Sequence, residues 1–112
     1  MKVEVTNVSK VAVLSPKGEL DLSSSRILEK IIGEQMDEGC KDIVIDFEDV
    51  PFLDTSGIGA LITSLISLKN KEGNLKLSSL EPQVKRTLQM AGLTKIFEIY
   101  NNKGEAIKSF EG

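Results

Sequence analysis

The chain has 112 residues, 14 basic and 17 acidic, with a net charge of −3, one cysteine and no histidine. This length fits one domain, which buries roughly two-thirds of its unfolded surface. The missing histidine excludes imidazole catalysis and histidine-held metal. Cys40 alone permits neither an internal disulfide nor a cysteine-cluster zinc site, and the scattered basic residues form no patch for nucleic acid.

In chain order, Val3 and Val5 alternate with Lys2, Glu4 and Thr6, the pattern of a strand with one wet face. The same alternation lacks the apolar core of a signal peptide, and no window reaches the 18 or more apolar residues of a membrane span, so a cytoplasmic protein is the simplest expectation. Asn7, Ser9 and Lys10 mark a turn into a second strand, Val11 to Leu14, joined to the first as an antiparallel hairpin. Pro16 cannot donate to a ladder, so this strand is bent or at an edge there. Gly18-Glu19-Leu20-Asp21 leads into a loop.

Ser23, Ser24 and Ser25 supply caps for a helix with Ile27, Leu28, Ile31, Ile32 and Met36 on one face and Gly39 as its stop. Ile43 to Phe47 is more continuously apolar, as in a strand covered by helices. A second helix carries Ile58, Leu61, Ile62, Leu65, Ile66 and Leu68 at helical spacing. Leu75 and Leu77 mark a short strand. Pro82 opens a third helix with Val84, Leu88 and Ala91 inward, and Gly92 ends it. Ile96, Phe97, Ile99 and Tyr100 suggest a last strand, and Ala106, Ile107 and Phe110 a small closing helix. The order β-β-α-β-α-β-α-β-α predicts one α/β domain over residues 1–112, with a largely parallel sheet and an antiparallel strand at its front.

The organising stretch is Asp54-Thr55-Ser56-Gly57-Ile58-Gly59, between the apolar strand and the second helix. Asp, Thr and Ser cap helix starts, which places Ser56 at or beside this one, where the positive end of the dipole can seat an anion. Gly57 and Gly59 each cost roughly 1 kcal/mol against Ala in a helix, so something must approach the backbone closely. That could be another part of the fold, an anion or a partner. Read locally, Ser56 is a structural cap, Asp21 an ordinary loop carboxylate, Cys40 inert and Lys85-Arg86 a solvated helix face. Asp46, inside an apolar strand, needs a partner that the sequence does not name.

The pairing of Gly18-Glu19-Leu20-Asp21 with Asp54 to Gly59 resembles the STAS domain, and within it the bacterial anti-sigma factor antagonists. Ile43 to Phe47 and Ala91-Gly92-Leu93-Thr94-Lys95-Ile96-Phe97 extend the likeness over essentially the whole chain. The resemblance implies a mixed, mostly parallel sheet of four to five strands with about four helices packed mainly on one face. It implies that Ser56 is phosphorylated by a partner that is both an anti-sigma factor and a serine kinase. The unphosphorylated antagonist binds that partner and frees the sigma factor, which it touches only indirectly, and a serine phosphatase restores it. Asp21, Asp54, Thr55, Ser56, Gly57 and Ile58 would form the partner-binding surface. Thr55 is a second hydroxyl open to modification. No cofactor, metal, nucleic acid or membrane enters this reading, and the protein would be a monomer or weak dimer.

A phosphate on Ser56 would add about −1.5 to −2 charge, steadied by the helix-start N–H groups and joined to an acidic patch containing Asp54 and Asp21. A shift of ~3 kcal/mol in partner binding would change affinity roughly 100- to 200-fold. Two other readings stand beside this one: a STAS module of another signalling or transport assembly, and a nucleotide-binding domain. The second lacks both a Walker pattern and GxGxxG.

Overall fold

A computed structural model describes residues 1–111. Strand β1 (Lys2–Val8) turns tightly into β2 (Val11–Lys17), and the two pair antiparallel from Lys2↔Lys17 to Val8↔Val11. Strands β3 (Asp42–Asp46), β4 (Asn74–Ser78) and β5 (Glu98–Tyr100) then add in parallel, giving one five-stranded sheet in the order β1-β2-β3-β4-β5. Each parallel step is bridged by a helix: α1 (Leu22–Asp37), α2 (Thr55–Asn70) and α3 (Pro82–Met90), the last followed by a 3₁₀ turn over Leu93–Lys95. Helix α4 (Lys103–Ser109) closes the described chain.

Pro16 is tolerated because the pairing of β2 with β3 ends at Leu14↔Ile45. Two residues on, the Gly18 N–H points the same way and bonds the Asp49 carbonyl at 3.0 Å, outside the regular ladder.

Strand alternation sorts the core into two layers. Ala12, Leu14, Ile43, Ile45, Leu75 and Leu77 face α1, α2 and α3, which contribute Leu28, Ile32, Leu61, Leu65, Leu68, Val84 and Leu88. Val11, Val13 and Val44 face the other way, onto Ala106 of α4 and partly buried Tyr100, Ile107 and Phe110. Three helices thus share one face, and the sheet and helix numbers agree with expectation. Lys76 lies on the α4 side, 6% exposed, with its Nζ 2.8 Å from Ser109 Oγ, 3.7 Å from Glu98 and 4.1 Å from the centre of the Phe110 ring.

Several finer expectations are corrected. Ile27 and Ile66 are exposed, because each helix buries a narrower stripe than its apolar residues span. Ala91 is exposed as well, one residue beyond the end of α3. Ile96 and Phe97 precede the last strand rather than join it: the 3₁₀ turn takes that length, leaving Phe97 in the core and Ile96 in solvent. Asp46 finds its partner across the ladder, where the Ser78 hydroxyl donates to its Oδ1 at 3.2 Å.

Candidate functional site

Parallel neighbours β2 and β3 run side by side, so the loops leaving them meet at the C-terminal end of the parallel strands. They are joined by a short parallel bridge, Leu20↔Leu53. The Leu20 N–H donates to the Phe52 carbonyl at 2.9 Å, and the Asp54 N–H donates to the Leu20 carbonyl at 3.2 Å. Both leucine side chains are buried. Sequence segments more than 30 positions apart are thereby locked together, and the helices that follow them begin next to each other.

Each helix opens on an aspartate. Asp21 and Asp54 both hold extended backbone, the conformation an N-cap requires. Asp21 Oδ1 accepts the Ser24 N–H at 3.0 Å and the Ser23 hydroxyl at 3.2 Å, while the Asp21 N–H donates back to Ser24 Oγ at 2.8 Å. The Ser24 backbone bond, followed by the Ser24 hydroxyl, holds the Asp21 carboxyl below its ordinary value. Asp54 Oδ1 accepts the Gly57 N–H at 3.0 Å.

This corrects the expectation that Ser23 to Ser25 cap the first helix, whereas Ser56 lies beside the start of the second as expected, with Asp54 as the cap. The bridge gives residues 21 and 54 the extended conformation, and their carboxylates also meet the positive helix ends. Ser24 serves as the reciprocal partner in a capping box. Ser56 falls at the second position of α2, half-buried and free of capping duty, beside exposed Thr55.

The two glycines differ. Gly57 is buried, and a Cβ there would lie 2.7 Å from the Leu20 carbonyl oxygen and against Leu53 Cδ1. Its missing side chain lets the first loop press onto the second helix. Gly59 is exposed, and a Cβ there would meet nothing within 4 Å.

Asp21 and Asp54 line one open concavity of about 510 Å³, together with Leu22, Ser23 and Arg26. Leu22 is 57% exposed, and Phe52, in the loop that pairs with Leu20, is 39% exposed. Ile58 is half-buried one turn into α2. Leu22, Phe52 and Arg26 were not singled out from sequence. A leucine directly after a capping aspartate was a usable signal for the first, whereas the others needed the juxtaposition of the loops. Chemically, each aspartate has an oxygen committed to a helix start, which suits recognition better than proton transfer, and the neighbouring hydroxyls of Thr55 and Ser56 both take no part in capping.

Residues 2–106 match the family model of the STAS domain. An anti-sigma F factor antagonist of Paenibacillus polymyxa is 30% identical over 116 residues, covering 99% of this chain and 96% of that protein. The anti-sigma factor antagonist SpoIIAA in its unphosphorylated form is 25% identical with a TM-score of 0.86, covering 99% of this chain and 97% of that one. The Bacillus cell fate determinant SpoIIAA in its phosphorylated form shares the fold, with a TM-score of 0.77 at 23% identity, covering 97% and 99%.

Proposed function

The chain belongs to the STAS domain family and, within it, to the anti-sigma factor antagonists, and on that premise we propose that it is a phosphorylation-switched binding module. Residues 1–112 act as one domain without catalysis of their own, in the cytoplasm, as a monomer or weak dimer. Unphosphorylated, the module binds an anti-sigma factor serine kinase and so frees a sigma factor that it never touches. Phosphorylation of Ser56 ends that binding, and a serine phosphatase restores it. Transcription is regulated indirectly.

The observation that supports this most is the position of Ser56. Its hydroxyl is relieved of capping by Asp54, belongs to a half-buried residue at the joined loops, and lies two positions after Asp54, which lines a concavity together with Asp21. Asp21, Asp54, Thr55, Ser56 and Ile58 form the polar and central part of the partner surface. Leu22 and Phe52 add exposed apolar area of the kind that anchors an interface. Gly57 contributes by holding the loops at their close spacing. The occurrence of a relative in phosphorylated and unphosphorylated forms fits such a cycle.

The switch works through charge. A phosphate brings about −1.5 to −2 charge to a surface that already carries Asp21 and Asp54. A partner matched to the neutral hydroxyl then meets like charge and an unsatisfied desolvation cost of several kcal/mol, where every 1.4 kcal/mol is tenfold in affinity. The decisive test combines phosphate incorporation by the cognate kinase with partner capture. Ser56→Ala should lose incorporation and keep binding, Ser56→Glu should weaken binding, and Thr55→Ala should retain incorporation. Unchanged incorporation in Ser56→Ala would refute the assignment.

A further inference from the structure

We propose that Arg26 is the internal partner of a phosphate on Ser56, so that the modified protein fills its own recognition concavity. This rests on the reading of Ser56 as the acceptor and adds the group that answers the new charge.

The need for such a group follows from the caps. The Gly57 N–H, a natural donor to an anion at the start of α2, already serves Asp54. A phosphate on Ser56 therefore sits close to one carboxylate, with Asp21 on the facing loop, and lacks that donor. Arg26 is the one basic side chain lining the concavity with Asp21 and Asp54. It lies four residues after Leu22 on the same face of α1 and is exposed.

Arg26 is also uncommitted. Among the described residues the ion pairs are Lys17–Glu4 and Lys76–Glu98, so no carboxylate lies within 4 Å of it. Glu29, three residues on along α1, is exposed and makes no ion pair with it, and Asp21, the cap that precedes α1, has Oδ1 occupied by the Ser24 N–H and the Ser23 hydroxyl. A guanidinium presents a planar fork that fits two phosphate oxygens at once, which a carboxylate already bonded to serines cannot match. On phosphorylation Arg26 leaves solvent for the phosphate and lies across the space between Asp21 and Asp54. The partner is then excluded by occupation as well as by charge, and the fold need not change.

Phosphoserine can be installed at position 56 during translation, without any kinase, and its ³¹P resonance followed against pH. Phosphoserine loses its second proton near pH 6. Asp21 and Asp54 raise that midpoint in every variant, while Arg26 lowers it in the native sequence alone. The native phosphoprotein should titrate about one pH unit below its Arg26→Gln counterpart, in line with the smaller shifts an opposite charge produces. Arg26→Lys should fall between them, because it keeps the charge and loses the fork. Far-ultraviolet circular dichroism on the same samples confirms that all are folded. Superimposed native and Arg26→Gln curves would overturn the proposal. Partner capture by the same phosphoproteins tests the switch separately: undiminished capture would refute the role of Ser56 while leaving the titration result standing.

Discussion

Gly57 and Gly59, two positions apart on one helix, should respond to alanine with opposite signs. At Gly59 the new methyl meets open space, so Gly59→Ala gains only the helix preference of Ala, about 0.5–1 kcal/mol. At Gly57 the same gain is opposed by a collision. Leu53 Cδ1 is the far end of a side chain and can move, but the Leu20 carbonyl oxygen, 2.7 Å from the new Cβ, is backbone bound to the Asp54 N–H. Forced overpacking of this kind costs about 1–3 kcal/mol, which leaves a net loss of about 1–2 kcal/mol. The two variants should therefore differ by about 2 kcal/mol, close to 10 °C in melting temperature for a domain of this size. Urea unfolding followed by circular dichroism measures both. The bridge would also spread, moving Asp21 away from Ser56, so Gly57→Ala should bind the anti-sigma partner less tightly even where it is fully folded. A Gly57→Ala protein as stable as the native one would show that the loop yields freely and that the bridge is not a fixed spacer.

The lowered pKa of Asp21 sets the sign of an acid effect. Its folded value lies below the unfolded 3.8, so its contribution to stability is present above that value and is lost as pH falls through the folded one. Asn also caps helices well, so Asp21→Asn should fold and should show a flatter loss of stability below pH 3.8 than the native protein; parallel acid-unfolding curves would contradict this. In the core, Ser78→Ala removes the hydroxyl that donates to buried Asp46 and should cost about 1–3 kcal/mol, read as a lower urea midpoint. An unchanged midpoint would mean that Asp46 is satisfied by another group.

The strands and helices were largely legible because each carries a clean period and is bounded by Gly, Pro or a cluster of small polar residues. The stop of the third helix at Gly92, for example, needed only a residue tolerant of positive φ, observed here at 74°. The identity of the caps was not legible. Asp21 and Ser23 to Ser25, like Asp54 to Ser56, offer adjacent oxygens of similar capping strength, and the choice is made by a bridge between segments 33 positions apart. Periodicity similarly overstated the buried faces. Ile27 and Ile66 belong to apolar stripes that are wider than the sheet and neighbouring helices can cover. Asp46 and Ser78 are 32 residues apart and meet only through parallel registration of β3 and β4. Arg26 was invisible for the same reason: an arginine in an exposed helix turn is ordinary until a second loop is folded against it.

The rung between Leu20 and Leu53 bears on how specificity can be moved between members of this family. Transplanting residues 50–59 from a relative into this chain would seat a foreign helix start against a native counterpart, with the Leu20 carbonyl and the Gly57 backbone mismatched in height. Exchanging residues 18–21 and 50–59 as one graft preserves the rung, and with it the spacing on which a docking protein depends.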